Sequence, residues 1–583
     1  MDATLSAFAK YKANTSANKQ KKNKKRRKAV DKNTPGLSAV EINDEQSKQI
    51  ARQLKKKQKK SKDTNITKKK QHKNKSKNKS KTHSSPPASD ERQSDEQTAS
   101  VVTDADIYDA QVSGKEAVLQ SVEDIDCDLS FNFEPLLTDS SQEGLKVFSW
   151  IIAPYTADQF FKEVWEKKPL HISRKKPNYY KEIITTSIID DMLRNENIQY
   201  TKNIDVTSYQ NGEKQTHNPE GRAHPHLVWD FYLQGCSIRL LNPQTYIPKL
   251  HLLNATMQEF FNSFVGANAY LTPPDSQGFA PHYDDIEAFI LQTEGKKHWR
   301  VYKPPSPEEV LARVSSRNFN QAEIGDPILE VILEPGDLLY FPRGYIHQGV
   351  TIEGEHSLHL TISMFQKHAW ADLFEKLLPG ALHSAINENK DLRQGLPVDI
   401  YDHLGLVHSD SKTPRRKHIK NTIVKLFNKI IEYLPFDEAV DQMHKEFQHA
   451  ALPPVLSDLE KMVTVFGETD VMIDGGIVTN RVEMCLSTRI RLLRKNILRM
   501  VSEENIRVYY HVENSLEYHG TELPYLEIDE ELAPGIESLI TAYPEYISVE
   551  NLHLPLDSDK LFIADALWSR GLVMTEYPLD TVE

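Results

Sequence analysis

The stretch PHYDDIEAFILQTEGKKHWRVY, residues 281–302, decides the fold of this 583-residue chain. Its apolar residues form two short runs on either side of Gly295, which predicts a strand, a turn and a second strand. If the two strands pair as a hairpin, Lys296 to Trp299 lie alongside Ala288 to Leu291. The residues before the first apolar run would then be held at the edge of a sheet.

An H-x-D motif opens this stretch. On a strand, His282 and Asp284 would share one face and could reach the same metal ion. The motif alone is weak, because chance gives about three H-x-[DE] matches in a chain with 22 His and 83 acidic residues. His408 lies in a polar loop, His444 lies in a helical segment, and His511 is not followed by a third ligand in a comparable strand pattern. Context therefore favours the motif at His282.

A second segment, EPGDLLYFPRGYIHQG (334–349), supplies a third ligand. It predicts a turn at Pro335-Gly336, a buried strand, a second turn at 342–344, and His347 in the next strand. Alone, His347 would be interpreted as a core histidine with satisfied hydrogen bonds. With His282 and Asp284 it completes the two-histidine, one-carboxylate triad of non-haem iron enzymes, which leaves metal positions open for other ligands.

The surrounding sequence predicts a β-rich domain. Between about Tyr200 and Phe365, short apolar runs such as CSIRLLN, NAYLTPP and HSLHLTISMF alternate with Gly and Pro. Many short strands with frequent turns are typical of a sandwich or barrel. Order is expected to begin near Leu145. In the segment that starts there, apolar residues recur at helical spacing between Ala157 and Trp165.

The C-terminal third is predicted to be helical and then mixed. In KHIKNTIVKLFNKIIEYL (417–434), one face of a predicted helix carries Ile419, Ile423, Leu426, Phe427 and Ile430. That face would pack inside the molecule or in a dimer. From about Val455, a helix, two strands and two further helices predict a small α+β module of winged-helix type.

Charge is distributed very unevenly along the chain. Residues 19–81 hold 25 Lys or Arg and 5 Asp or Glu, whereas the remainder holds 47 basic and 78 acidic residues. We expect a disordered basic tail over 1–83 and an acidic low-complexity linker over 84–144. Clustered lysines of this kind indicate a nuclear or nucleolar address and an arm that binds RNA or chromatin. The alternative is a solvated tail without a partner.

Cysteine usage and hydropathy exclude other classes. The three cysteines lie far apart without a C-x-x-C pair, which argues against a disulfide framework and a cysteine-rich zinc site. No stretch reaches the roughly 18 consecutive apolar residues of a membrane span. We therefore expect a protein of a reducing compartment that has no membrane partner.

Three features together resemble the JmjC, cupin-like oxygenases: the H-x-D motif, a lysine 15 residues after its histidine, and a distal histidine in a PGD…P-x-G-x-x-H context. More narrowly, WEKKPL, WDFYLQGCSIRLLNPQTY and HSLHLTIS are similar to the ribosomal oxygenases. The resemblance extends from about Leu145 to the C-terminus. It implies a multidomain α+β chain with a double-stranded β-helix domain over 145–370, a helical dimerisation region over 371–454 and a winged-helix domain over 455–583. It also implies a homodimer.

The resemblance implies the roles of particular residues. Iron(II) would be held by His282, Asp284 and His347, with 2-oxoglutarate and O₂ as cosubstrates. Lys297 matches the lysine that binds the far carboxylate of 2-oxoglutarate; otherwise it would be a surface lysine, as we expect for Lys296. The remaining matches to cofactor-pocket positions are Asn268, Tyr270 and Ser363, and each could instead be an ordinary strand residue. No catalytic side chain beyond the metal ligands is expected.

The resemblance also implies a protein substrate in the nucleus, both nucleolus and nucleoplasm, with roles in transcription and ribosome biogenesis. Two outcomes are possible: hydroxylation of a histidine in a large-subunit ribosomal protein, and demethylation of methylated lysines four and thirty-six of histone three. Hydroxylation is favoured because its product is stable, although one oxidant could do either. A shorter nuclear branch of the family acts on another ribosomal protein, but the long lysine-rich arm favours the nucleolar branch. A different class remains open, a catalytically silent scaffold that binds chromatin or pre-ribosomes.

Overall fold

The computed structural model describes residues 139–517 and 523–582. The predicted basic tail and most of the predicted acidic linker lie outside the described residues. The helices within the described ranges are α1 Ser140–Ile152, α2 Ala157–Glu163, α3 Thr186–Asn195, α4 Pro225–Leu233, α5 Pro248–Phe261, α6 Trp370–Glu388, α7 Ile400–His403, α8 Pro414–Ile431, α9 Phe436–Ala450, α10 Asp458–Met462, α11 Ala533–Ala542 and α12 Asp557–Trp568.

The strands number nineteen in the described ranges. They are β1 Leu170–Ile172, β2 Ile204–Gln210, β3 Glu213–Thr216, β4 Ser237–Leu241, β5 Gly266–Thr272, β6 Glu287–Gly295, β7 Lys297–Tyr302, β8 Leu329–Leu333, β9 Leu338–Phe341, β10 Ile346–Thr351, β11 Ser357–Met364, β12 Val471–Ile473, β13 Ile477–Thr479, β14 Arg489–Leu492, β15 Leu498–Ser502, β16 Ile506–Tyr510, β17 Tyr525–Ile528, β18 Ile547–Ser548 and β19 Val573–Thr575.

Two antiparallel sheets form the β-rich domain. The larger has the order β1-β9-β6-β11-β5-β4-β2-β3 and the smaller the order β10-β7-β8. An apolar cluster joins them, with Ile290 and Phe341 from the larger sheet and Trp299, Val301 and Leu333 from the smaller. The predicted fold class, a double-stranded β-helix within a multidomain α+β chain, is confirmed.

The predicted hairpin between residues 287–295 and 297–302 is wrong. β6 pairs with β9 and β11 in the larger sheet, whereas β7 pairs with β8 and β10 in the smaller one. Gly295 has a φ of +58°, and a Cβ there would lie 1.8 Å from the carbonyl oxygen of His356. The chain thus turns a tight corner from one sheet to the other. This corner, rather than a hairpin, carries Lys297 into the space between the sheets.

Helices cover the outer face of the larger sheet. Their aromatic side chains meet those of the sheet, as where Phe160 of α2 lies 5.0 Å from Tyr340 of β9 between ring centroids. Helix α5 interrupts a region in which only strands were predicted. Helix α1 begins five residues before the predicted start of order at Leu145 and packs on α5, where a Cβ on Gly144 would lie 2.6 Å from the Thr256 carbonyl oxygen. The last residues of the predicted linker are therefore helical.

Helices α6 to α9 follow the sheets and leave apolar side chains in solvent. A stripe along α6, one residue per turn, comprises Trp370, Phe374, Leu378, Leu382 and Ile386, which are 38–78% exposed. On α8 the predicted apolar face is divided. Ile419 is buried, but Ile423 and Phe427 are 49% and 48% exposed.

The C-terminal module has its own core. Two three-stranded sheets, β18-β14-β19 and β15-β16-β17, enclose an apolar cluster together with α11 and α12. The two strands and the two following helices predicted from the sequence are present at β16, β17, α11 and α12. Across the whole described part of the chain, none of the helices has the length and hydropathy to cross a membrane.

Candidate active site

His282 and His347 face each other across an isolated antiparallel bridge. The His347 N–H donates to the His282 carbonyl oxygen over 2.9 Å, and the His282 N–H donates back over 3.3 Å. His347 lies in β10, as predicted. His282 and Asp284 do not lie on a strand that leads into β6, because β6 begins only at Glu287. The bridge to β10, rather than a strand continuous with β6, holds His282 at the edge of a sheet.

Three side chains converge on one point. The carboxylate of Asp284 lies 3.9 Å from Nε2 of His282 and 3.7 Å from Nε2 of His347. Bonds of about 2.1 Å from one metal ion keep ligand atoms within about 4.2 Å of one another, so one ion can contact all three. In the described part of the chain, this is the one group of three such ligands within 4.8 Å. The residues fit a facial metal site.

Backbone carbonyls hold both imidazoles in the orientation that a metal requires. Nδ1 of His282 lies 2.8 Å from the Ala280 carbonyl oxygen, and Nδ1 of His347 lies 3.2 Å from that of Tyr345. A ring that donates through Nδ1 keeps its lone pair on Nε2, which faces Asp284. Burial, and next the proximity of the His282 imidazole, lower the pKa of His347 to about 4. The ring is neutral and ready to bind a cation.

A buried ion pair anchors the loop between β9 and β10. The Arg343 guanidinium donates to Glu287 over 2.7 Å and to Glu166 over 2.5 Å. Tyr340 also donates to the Glu287 carboxylate, which is fully buried. The next residue, Gly344, donates its N–H to the Asp284 carbonyl oxygen over 3.1 Å. These contacts connect the loop that precedes His347 to the segment that carries Asp284.

Lys297 is buried beside Trp299, whose ring also lies near His347. Its side chain is 5% exposed, and Nζ donates to the Thr272 hydroxyl over 3.1 Å. It makes no ion pair with any described carboxylate, and Nζ lies 5.6 Å from the centre of the Trp299 ring. Burial lowers the pKa of Lys297 to about 7. Lys296, by contrast, is held at the surface in an ion pair of 3.0 Å with Glu334.

The other predicted pocket residues lie on one face of the larger sheet. Asn268 and Tyr270 lie two residues apart on β5 and so share a face of the sheet. The side chains of Asn268 and Arg239 interact with the phenol of Tyr270. Ser363 lies on the same face further along β11, opposite Gly266. Ser363 makes no hydrogen bond to Asn268, Tyr270 or Lys297. The structure therefore brings Asn268 and Tyr270 together and leaves Ser363 apart.

Two residues on this face escaped the sequence analysis. His359 of β11 and Arg239 of β4 lie directly opposite Tyr270 from its two sides. The imidazole of His359 stacks on Tyr270 with ring centroids 4.9 Å apart and an interplanar angle of 6°. Arg239 is paired with Asp205 of β2. The signal for both residues was their alternation with apolar residues, which predicts a face but not its neighbours.

A cation without a described ion-pair partner lies on the side of the site around Phe279. The Lys214 ammonium is 4.4 Å from the centre of the Phe279 ring, which in turn lies 6.3 Å from the His282 ring. Burial, and next the charge of Arg239, lower the pKa of Lys214. Lys214 makes no ion pair with the described acidic residues. The side of the site around Phe279 is therefore positively charged.

The three rejected H-x-[DE] motifs lie away from any described metal group. His511 is buried, and its Nδ1 lies 2.7 Å from the amide oxygen of Gln448. His444 lies in α9 and His408 in a short turn of 3-10 helix. His511 is thus a core histidine, and the structure places it in no group of metal ligands among the described residues.

Known proteins resemble this chain over both domains. Residues 239–373 match the family model of the JmjC domain, and residues 452–579 match that of the ribosomal oxygenase 1 C-terminal winged helix domain. The chain is 53% identical over 437 residues to the bifunctional lysine-specific demethylase and histidyl-hydroxylase NO66 of Aedes aegypti, covering 75% of this chain and 68% of that one. It is 45% identical over 444 residues to ribosomal oxygenase 1 of Gallus gallus, covering 76% and 74%.

Solved structures also align with much of the chain. Among them is the Escherichia coli ribosomal oxygenase YcfD in complex with cobalt and 2-oxoglutarate, which is 16% identical. The alignment covers 73% of this chain and 99% of that one, with a TM-score of 0.37.

Proposed function

This chain belongs to the JmjC ribosomal oxygenases, the family of NO66 and ribosomal oxygenase 1, and we propose that it is an iron(II)- and 2-oxoglutarate-dependent dioxygenase that acts on proteins. One observation carries the proposal. His282, Asp284 and His347 converge on a single point, and the buried Lys297 nearby, beside Trp299, has no described carboxylate as an ion-pair partner. The intact triad also argues against the catalytically silent scaffold, because a site without activity would be free to lose a ligand.

Iron(II), 2-oxoglutarate and O₂, once bound, would supply the oxidising chemistry: a substrate C–H bond would become C–OH while 2-oxoglutarate and O₂ are converted to succinate and CO₂. The chain's own residues would orient these groups and enclose them. The triad would hold the ion from one side, and the rings of Trp299 and Phe341 flank His347 at 6.2 and 4.4 Å and exclude water there. The opposite side, where Asp284 is 35% exposed, is open to a substrate.

Lys297 is proposed to bind the distal carboxylate of 2-oxoglutarate. Its ammonium is fixed by Thr272, and a buried cation without a counter-ion is stabilised by a ligand that brings one. Asn268 and Tyr270 are proposed to line the same pocket. Ser363 lies further along the same face of the sheet, and we propose that it also lines this pocket.

The charge around Phe279 favours histidine hydroxylation over lysine demethylation. The NO66 relative is named for both reactions. Two cations lie over the Phe279 ring: Lys214, which makes no ion pair with a described residue, and Arg239, which is paired with Asp205. A methylated lysine would bring a further positive charge next to them, whereas a neutral imidazole would not. We therefore propose a histidine of a ribosomal protein as the main substrate and the methylated lysines of histone three as the secondary one.

A homodimer is proposed from the apolar stripe on α6. The exposed side chains Trp370, Phe374 and Leu378 continue along the helix and are joined by Ile423 and Phe427 of α8. A soluble monomer rarely exposes so many large apolar groups on adjacent helices. Light scattering of the full chain would report a dimer, and Leu378→Glu together with Leu382→Glu would reduce it to a monomer. A monomeric wild type would refute this part of the proposal.

The basic arm is proposed to direct the protein to the nucleus and nucleolus and to bind RNA or chromatin. The support is its charge alone, 25 basic against 5 acidic residues over 19–81. The C-terminal module is less suited than the arm to bind nucleic acid, since residues 455–583 hold 24 acidic and 10 basic residues. Deletion of residues 1–83 should release the protein from nucleoli. Retention there would contradict the proposal.

Turnover by the purified full chain tests the function. With iron(II) and 2-oxoglutarate, the protein should form succinate in step with a gain of one oxygen on a histidine-containing ribosomal-protein peptide. A methylated histone-tail peptide should be demethylated more slowly, with release of formaldehyde. The absence of succinate with every ribosomal-protein and histone peptide would favour the scaffold.

A further inference from the structure

His359 is a buried polar group that lacks a hydrogen-bond partner for one ring nitrogen. It is 1% exposed, and no described residue accepts from or donates to its Nδ1. The ring is fixed by the parallel stack on Tyr270 and by the edge contact with Trp299, whose ring centroid is 5.2 Å away. An unpaired buried nitrogen is costly, and native proteins rarely keep one without a use.

The surroundings of His359 are rich in donors, and no described carboxylate pairs with the cation among them. Nζ of Lys297 bonds to the Thr272 hydroxyl, and the indole nitrogen of Trp299 is likewise buried without a partner. Among the described residues, no carboxylate forms an ion pair with Lys297. Burial, and next the positive charge of Lys297, hold the pKa of His359 well below its usual value, so the ring is neutral and carries one N–H. A cluster of one cation and further free donors is complementary to an anion with two oxygen atoms.

We propose that His359 donates its Nδ1–H to one oxygen of the distal carboxylate of 2-oxoglutarate, while Lys297 binds the carboxylate through its ammonium. This inference rests on the proposed function, since it concerns the same cosubstrate. His359 is then a positioning residue that selects a dicarboxylic 2-oxo acid over a monocarboxylic one. Gly349 supports the arrangement, because a Cβ at that position would lie 3.0 Å from Cε of Lys297 and 3.1 Å from the Trp299 ring.

Binding to the cobalt(II)-loaded full chain tests the inference without turnover. Two ligands are compared by isothermal titration calorimetry: 2-oxoglutarate, and 2-oxobutyrate, which keeps the 2-oxo acid but lacks the distal carboxylate. His359→Leu should weaken 2-oxoglutarate binding about 10- to 100-fold, the loss expected for a hydrogen bond to a charged group. It should leave the Kd of 2-oxobutyrate unchanged.

His359→Asn is the matched variant, since its amide N–H lies close to the position of Nδ1. It should recover most of the affinity for 2-oxoglutarate. If His359→Leu does not fold, His359→Phe, which keeps the stack on Tyr270, replaces it.

Three results would overturn the donor role: equal binding of 2-oxoglutarate by the wild type and His359→Leu, equal weakening of both ligands, or an Asn variant as weak as the Leu variant. Failure of the proposed function would look different. In that case the cobalt-loaded wild type would itself not bind 2-oxoglutarate.

Discussion

His282 and His347 exchange both of their backbone hydrogen bonds across one isolated bridge, and their rings lie 4.6 Å apart between centroids. The two residues are far apart in the sequence, yet the backbone pairing alone brings their side chains together. Because Nδ1 of each ring is also bonded to a nearby carbonyl, the two Nε2 atoms face Asp284 before any metal binds. The metal site is therefore organised by the fold.

The carboxylate of the triad can be tested against its neighbour in sequence. Asp284→Ala should lower metal affinity by at least about 100-fold, because it removes one of three ligands. Asp285→Ala is the control, since that side chain bonds to Ser315 and Gln366 instead. Metal titration of both purified variants measures the difference. Equal losses in the two variants would contradict the assignment of Asp284.

The ion pair of Arg343 with Glu287 should be important for stability. Arg343→Met leaves the fully buried Glu287 without its cation, and breaking such a pair costs about 3 kcal/mol or more. Urea unfolding measures the loss. Arg317→Met breaks the exposed pair with Glu323 and should cost less than about 1 kcal/mol.

The loss at Arg343 should also depend on pH. Burial raises the pKa of Glu287 to about 7 even beside Arg343, and without that cation the pKa should rise further. The stability lost in Arg343→Met should therefore grow as the pH rises above about 7, where the wild-type carboxyl ionises and the variant must either keep its proton or bury a charge. A loss that is the same at about pH 6 and about pH 8.5 would contradict an uncompensated carboxylate as the cause.

Lys297 should reduce the stability of the protein when no cosubstrate is bound. Its folded pKa of about 7 lies below the unfolded value of 10.5, so folding releases a proton between these values. The wild type should gain stability as pH rises through this window. Lys297→Met should be more stable than the wild type at pH 7 and fail to bind 2-oxoglutarate. Thermal unfolding and calorimetry measure the two effects, and a less stable variant would contradict the first.

The charge of Lys214 should influence substrate choice. Lys214→Glu should raise the kcat/KM for a trimethyl-lysine peptide relative to a histidine peptide by about 5- to 10-fold, and added salt should reduce the change. Lys296→Glu, which alters a surface lysine in ion pairs with Glu334 and Glu355, should leave the ratio unchanged. An unchanged ratio in Lys214→Glu would contradict electrostatic selection.

The sequence allowed the metal ligands to be predicted because local signals surround them. The turns at Gly336 and Gly344 have φ of +93° and +89°, as glycine permits, and they frame β9 and precede β10. His347 was therefore placed correctly in its strand. Lys297 was identified through the family resemblance, and its burial argues against the alternative of a surface lysine.

What could not be predicted depends on pairing over long distances. Gly295 indicates a turn, but only the contacts with β11 and β10 determine that β6 and β7 enter different sheets. His359 likewise has meaning only through the register that sets it opposite Tyr270. Helix α1 was missed at its start because a polar segment with Gly144 resembles a linker until α5 lies against it.

The origin of the added oxygen tests the central claim most directly. The purified protein is given iron(II), 2-oxoglutarate and a histidine-containing ribosomal-protein peptide under isotopically heavy oxygen gas, and the peptide is examined by mass spectrometry. We predict that the histidine gains one heavy oxygen atom, that succinate forms, and that Asp284→Ala does neither while Asp285→Ala does both. An unmodified peptide, an oxygen that comes from water, or full activity in Asp284→Ala would contradict the account.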